Sequence, residues 1–329
     1  MKNPMAKCAS FFISMCIHIF LFVSVASAQT RSVPPIELGS VAWGRDYQAG
    51  LQQSLESQKP ILLLFQEVPG CAGCQDFGRD VLSQPLLVEA IAEAFVPVAI
   101  FNNQPGEDAR VLKRFSEPAW NYQVIRYLDA GGNDLIPRKD RIWTRQGTVE
   151  RMVQALEKAK RPIPKSLQLL QLQHSAKKHK SVLFAQSCFW VGEAKFGGQA
   201  GVVATEAGFY QGREVTRVTF DPAVLSLKQL AAVGQKMDCA RALYLDPVFQ
   251  KETGETHLAG LPVQGFDAAA YRKASARDQK VHLQRRPELH KLGLTSYQTT
   301  KINALLAARA PEGTVRQELT TGQRAKLVK

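Results

Sequence analysis

Ile61-Leu62-Leu63-Leu64-Phe65-Gln66-Glu67-Val68-Pro69-Gly70-Cys71-Ala72-Gly73-Cys74 is the stretch on which the fold turns. Its first five residues are apolar without a break, a pattern that fits a strand covered on both faces. Val68-Pro69-Gly70 then reads as a turn, and the residues from Cys71 toward Leu82 as a helix. Cys71 thereby falls at a helix start, where backbone N–H groups lack partners and the helix dipole favours an anion. Cys74 falls one turn further in. A thiol at the exposed start is suited to attack, and one a turn inside to resolve. Two other readings use the same residues: half of a zinc site, for which no second C-x-x-C exists, and a structural disulfide.

Working outward, Tyr47, Leu51 and Leu55 recur at helical spacing in the segment 44–58, which Lys59-Pro60 ends. Residues 86–95 read as an amphipathic helix, 96–101 as a strand and 111–115 as a short helix. Val124–Leu128 and Leu135-Ile136 flank Ala130-Gly131-Gly132-Asn133 and read as two strands around a turn; residues 149–159 read as a closing helix. This order, with its C-x-x-C directly after a buried strand, resembles the thioredoxin fold. That family places a cis-proline just before the strand facing its C-x-x-C, and here that position holds Gln123, with Pro118 five residues too early. The Val-Pro-Gly-Cys lead-in resembles a branch of thioredoxin-like proteins, some with selenocysteine.

The ends and the composition bound what such a chain can do. Lys2 and Lys7, an apolar run from about residue 11 to 25, and Ala26-Ser27-Ala28 have the layout of a secretory leader cleaved after residue 28. A periplasmic or secreted location follows. Removing the leader also removes Cys8 and Cys16 and leaves Cys71, Cys74, Cys188 and Cys239, too few for a disulfide scaffold and suited to two redox pairs. The formal charge of +13 comes from basic clusters without interleaved aromatics, so a nucleic-acid partner is not expected. Pro162, Pro164 and a lysine-rich end mark residues 161–180 as a linker with one Leu-rich helical turn, separating a domain at 29–160 from one at 181–329.

The second half is organised around Ser187-Cys188-Phe189-Trp190-Val191-Gly192-Glu193. A strand at 181–185 runs into a helix whose first turn holds Cys188, and Phe189 and Trp190 offer two aromatic surfaces beside it. A buried cysteine in an apolar cluster is the plainer alternative. Strands at 202–207 and 215–220 then form a hairpin, Ser226 with Gln229 makes a capping box for a helix, and Cys239 precedes a strand at 242–245. Strand, helix, hairpin, helix, strand is a ferredoxin-like split arrangement, so the chain reads as α/β, a thioredoxin-like domain followed by a ferredoxin-like α+β domain.

Cys188-Phe189-Trp190 with Glu193, Gly201-Val202-Val203-Ala204-Thr205, Gly208-Phe209 and Val218-Thr219-Phe220-Asp221-Pro222 resemble peptide methionine sulfoxide reductase of the A type over about residues 181–238. The resemblance implies Cys188 as the attacking sulfur and Phe189 and Trp190, with Phe209 and Tyr210, as the substrate pocket. It implies Glu214 as the acid that protonates the sulfoxide oxygen, because it lies seven residues before Asp221 and alternates with Thr216, Val218 and Phe220. Cys239 would resolve Cys188, and Cys71 and Cys74 would supply electrons from an upstream thiol reductant. Substrates would be methionine sulfoxide or oxidised protein, with no cofactor and no metal. The chain departs from the family where Gly212 runs directly into Arg213: a loop with a catalytic tyrosine is missing, as is a later segment with an Asp and a second Tyr. Tyr210, Tyr244 and Asp246 are the candidates to replace them. Two further readings stand beside this one: a disulfide reductase or isomerase whose second domain binds partners, and a non-enzymatic copper-handling protein using Cys71 and Cys74.

Overall fold

The structure, a computed structural model, describes residues 35–120, 123–237 and 240–327, so the expected leader at 1–28 and Cys239 lie outside the described residues. Asp46 opens helix α1 (Tyr47–Ser57) by accepting from the N–H groups of Gln48 and Ala49. Strand β1 (Ile61–Gln66), helices α2 (Ala72–Asp80) and α3 (Pro85–Ala94), strand β2 (Val96–Phe101), helix α4 (Glu107–Arg114) and strand β3 (Gln123–Leu128) follow. β1 is the central strand, parallel to β2 and antiparallel to β3. Its six residues are all buried. Leu62 and Leu64 join Phe77, Leu82 and Leu87 on one face, while Ile61, Leu63 and Phe65 join Tyr47, Val98 and Ile100 on the other. The unbroken apolar run is thus a consequence of two covered faces.

Two elements differ from the sequence expectation. Leu135-Ile136 forms no strand; β3 is followed by a single bridge between Leu128 and Asp134. The Asp129 carboxylate turns the chain by accepting from the N–H groups of Gly131 and Asn133, both at 2.9 Å, and Pro137 has no N–H with which to continue a ladder. The sheet therefore stops at three strands. After helix α5 (Arg145–Lys158), the stretch 161–180 carries helix α6 (Lys165–His174), whose Leu167 and Leu170 are fully buried in the β1 core.

The second sheet starts at β4 (Lys180–Gln186). Helix α7 (Phe189–Gly197), the hairpin β5 (Val202–Tyr210) and β6 (Arg213–Phe220), helix α8 (Leu227–Gln235) and β7 (Ala240–Leu245) follow. β4 lies between β6 and β7, β5 lies outside β6, and all these pairs are antiparallel. The capping box Ser226–Gln229 starts α8. Val182, Phe184, Val218 and Phe220 face α7 and α8, and Leu183, Ala185, Tyr210 and Tyr244 pack on the opposite face. Helix α9 (Pro247–Thr253) and strands β8 (His257–Leu258) and β9 (Leu261–Gly265) extend one edge, and β10 (Arg272–Lys273) pairs with β5 at the other.

Helices α10 (Val281–Gln284), α11 (Pro287–His290), α12 (Ser296–Ala307), α13 (Glu312–Gln317) and α14 (Thr321–Leu327) enclose a small core of Leu283, Leu289, Ile302 and Leu319. They also tie the two halves together. Glu89 on α3 accepts from Gly322 N–H at 2.6 Å and from the Thr320 hydroxyl at 3.0 Å, capping α14, and Lys165 on α6 pairs with Glu318 at 2.7 Å. No helix of the described residues is long and apolar enough to cross a membrane.

Candidate active site

Two thiol centres are built in the same way, each at the junction where a central strand runs into a helix. At the first, Cys71 is the N-cap of α2 and is exposed, while Cys74 is fully buried. Their sulfurs lie 3.6 Å apart, close enough for a side-chain rotation to bring them to the roughly 2.05 Å of a disulfide. Gly70 makes this approach possible, since a Cβ there would lie 2.5 Å from the Glu67 carbonyl and 2.7 Å from the Cys74 Cβ. Its N–H donates to the buried Glu37 carboxylate at 2.8 Å, and Gln66 donates to the carbonyls of Glu37 and Cys74. The Cys74 thiol donates toward Gln123 Oε1 at 3.9 Å, so the first residue of β3 meets the buried sulfur with an amide oxygen.

The surroundings give the two thiols different chemistry. Burial pushes the Cys74 thiol up to about 12, helped by its hydrogen bond to Cys71 and by the charges of Cys71 and Glu67. Cys74 therefore keeps its proton at neutral pH until a neighbour takes it. Glu67, Cys71 and Cys74 form one cluster, their donor atoms all within 4.8 Å of one another. Glu67 carries no signal in the sequence beyond its position four residues before Cys71.

At the second centre, Cys188 is the half-exposed N-cap of α7 and makes no capping hydrogen bond of its own. The cap comes from Glu214, whose Oε2 accepts the Phe189 N–H at 2.8 Å. Strand register puts it there: Glu214 on β6 faces Gln186 on β4, two residues before Cys188. Thr216, next on the same face of β6, donates to Gln186 Oε1 at 2.5 Å and to the Phe189 carbonyl at 3.2 Å. Gly192 lets α7 sit this close, since a Cβ there would meet Gln186 Oε1 at 1.8 Å.

At the first turn of α7, directly after Cys188, the structure brings Phe189, Trp190 and Phe209 together. Phe189 is buried and edge-on to Phe209 at 5.5 Å, and the partly exposed Trp190 ring lies 5.7 Å from Phe189. Tyr210 is not part of this group. It points to the other face of the sheet, against Tyr244 and Phe266, and its hydroxyl accepts the Asp267 N–H at 3.1 Å. Successive strand residues face opposite ways, so Phe209 and Tyr210 cannot line one pocket. Tyr244 is buried on that same far face, and Asp246 is occupied in capping α9.

The segment 278–283, which the sequence reading expects to pack across the sheet without a role in the site, lies against Trp190 and β5. Gln279 exchanges two hydrogen bonds with the Ala207 backbone, at 3.0 and 2.8 Å, and Trp190 Nε1 donates to the Asp278 carbonyl at 3.1 Å. Lys280 reaches inward to the fully buried Glu193, donating from its backbone N–H at 2.7 Å and from its ammonium, which also meets the Thr205 carbonyl. Burial pulls the Lys280 pKa down against the opposing pull of the Glu193 charge. The pair is separated by 87 residues; Glu193 belongs to the stretch quoted around Cys188, but nothing local marks Lys280 as its partner.

A family model described as thioredoxin-like matches residues 42–129, from just before α1 to just past β3. Residues 42–129 form a thioredoxin-like domain. Among solved structures the chain is similar to a DsbH oxidoreductase at 19% identity, covering 40% of this chain and 92% of that one, with a TM-score of 0.31. No curated protein matches the chain.

Proposed function

We propose that the chain is an exported two-domain thiol oxidoreductase that reduces peptide methionine (S)-sulfoxide at Cys188, with the thioredoxin-like domain as its fused electron donor. The observation that carries this reading is the Glu214 carboxyl group at the first turn of α7, beside Cys188 and the Phe189–Trp190–Phe209 aromatics. A methyl sulfoxide needs those three things: an apolar surface for its methyl group, a sulfur nucleophile and a proton for its oxygen.

In the proposed cycle the Cys188 sulfur attacks the sulfoxide sulfur while Glu214 protonates the oxygen. The thioether leaves and Cys188 holds the oxygen as a sulfenic acid, so the methionine sulfur has gained the two electrons that Cys188 lost. Cys239 attacks the sulfenic acid, forming a Cys188–Cys239 disulfide and releasing water. Cys71 then attacks that disulfide and Cys74 resolves the mixed disulfide, leaving Cys71–Cys74 oxidised for an external thiol reductant to restore. Fusing donor to acceptor holds them at an effective concentration of roughly millimolar.

The test is a dithiothreitol-driven assay with both sulfoxide epimers. Turnover of the S epimer is expected, with Glu214→Gln slower by roughly a hundredfold or more, because that change keeps the shape and removes the proton. No turnover of either epimer by protein that still reduces a protein disulfide through Cys71 and Cys74 would instead favour a disulfide reductase or isomerase.

A further inference from the structure

We propose that the reduced Cys71–Cys74 pair is also a metal site, which takes a borderline divalent cation such as Zn2+ with Glu67 and Gln123 completing the donor set. A tetrahedral ion with metal–sulfur bonds of about 2.3 Å separates two sulfurs by roughly 3.8 Å. The two sulfurs here stand 3.6 Å apart, so they already span that edge. A Glu67 carboxylate oxygen lies within 4.8 Å of both, and Gln123 Oε1 lies 3.9 Å from Cys74 on the neighbouring strand. Three donors thus lie within 4.8 Å of one another and a fourth, Gln123 Oε1, reaches Cys74, with the exposed Cys71 as the way in.

Charge and donor chemistry point the same way. Among the described residues Glu67 and Glu37 have no lysine, arginine or histidine nitrogen within 4.0 Å, and Glu37 accepts from the Gly70 N–H at 2.8 Å. Two thiolates with a carboxylate and an amide oxygen suit Zn2+; Cu(I) selects sulfur alone, and Mg2+ and Ca2+ want oxygen throughout. Binding exchanges two thiol protons for one ion, with no change of oxidation state. The disulfide offers no thiolate, so the ion holds the pair in its dithiol form. The inference uses the same cysteines as the proposed exchange reaction but needs no substrate to be turned over.

Cobalt(II) is the probe, titrated into reduced full-length protein carrying Cys8→Ser, Cys16→Ser, Cys188→Ser and Cys239→Ser. A thiolate-to-cobalt band with tetrahedral visible absorption is expected, displaced by Zn2+ and absent from the oxidised protein. Glu67→Gln and Gln123→Asn should each weaken binding roughly tenfold or more. Thermal unfolding midpoints separate a lost ligand from a lost fold; if Gln123→Asn unfolds, the half-exposed Glu67 decides alone. No band, equal affinity in Glu67→Gln, or a band that survives Cys71→Ser with Cys74→Ser overturns the site. A protein that binds cobalt as expected but performs no thiol exchange keeps the site and loses the functional reading.

Discussion

Cys71 and Cys74 are the same residue type three positions apart, and what separates them is water. The buried thiol, pushed from an ordinary value of 9 up to about 12, holds its proton across a window in which an unfolded chain has released it. Below pH 9 both states are protonated and the contribution to stability is complete. Between 9 and 12 only the unfolded state ionises, so the reduced protein should lose stability as pH rises through that window. Urea unfolding of reduced protein at a series of alkaline pH values should show that slope, and Cys74→Ser should flatten it. A slope that Cys74→Ser leaves unchanged would place the titrating group elsewhere. The sequence located both sulfurs because a helix start and its next turn are local features. It misplaced Tyr210 because the family resemblance outweighed the two-residue alternation of β5, which by itself sets Tyr210 on the face opposite Phe209. Glu67 went unassigned because a single carboxylate in a turn has no pattern, only a position.

Elements were legible where each carried its own start and stop signals. Tyr47, Leu51 and Leu55 at helical spacing announce α1, Ser226 with Gln229 announces α8, and the apolar run announces β1. Long-range polar pairs carry no such signal, and two of them fix elements that matter for the thiol centres. At β3, the buried Glu117 carboxylate meets Arg126 at 2.8 Å and Arg138 at 2.7 Å. Burial raises its pKa, but the bonds and charges of the two guanidiniums outweigh that and hold it below the ordinary value of 4.5. Its contribution is therefore present above about 4.5 and lost as pH falls below it. Glu117→Gln should make stability less pH-dependent below that value, and an unchanged acid limb would count against the pair. At α7, the Glu193–Lys280 pair pins the 278–280 segment to the helix that follows Cys188. Lys280→Met would strand a fully buried carboxylate, at a cost of about 3–5 kcal/mol. Lys273→Met, which breaks the more exposed pair to Glu206, should cost about 1 kcal/mol or less. Equal losses in urea titrations of the two variants would mean that Glu193 does not depend on Lys280.

At the scale of the whole molecule, the two thiol centres belong to one connected body. α14 is capped by Glu89 of the thioredoxin-like half, and Lys165 on α6 is paired with Glu318, so the C-terminal helices attach the second sheet's half to the first. The proposed relay makes a directional claim about this body: electrons pass from Cys71 toward Cys188 and not the reverse. A thiolate must approach a disulfide sulfur in line, and the exposed Cys71 can do so, whereas the buried Cys74 can act only after Cys71 has been engaged. Replacing Cys74 with Ser removes the step that releases the mixed disulfide and leaves the attack itself intact. Cys74→Ser protein turning over sulfoxide should therefore accumulate a bridge from Cys71 to a second-half cysteine. Cys239 is the expected partner, because a bridge there leaves Cys188 free for the next substrate. Mass mapping after a single turnover identifies the bridge. If Cys74→Ser instead matches the parent rate with an external thioredoxin and never traps a 71-to-239 bridge, the fused domain is not the donor, and the attachment through α14 serves the fold rather than the transfer of electrons.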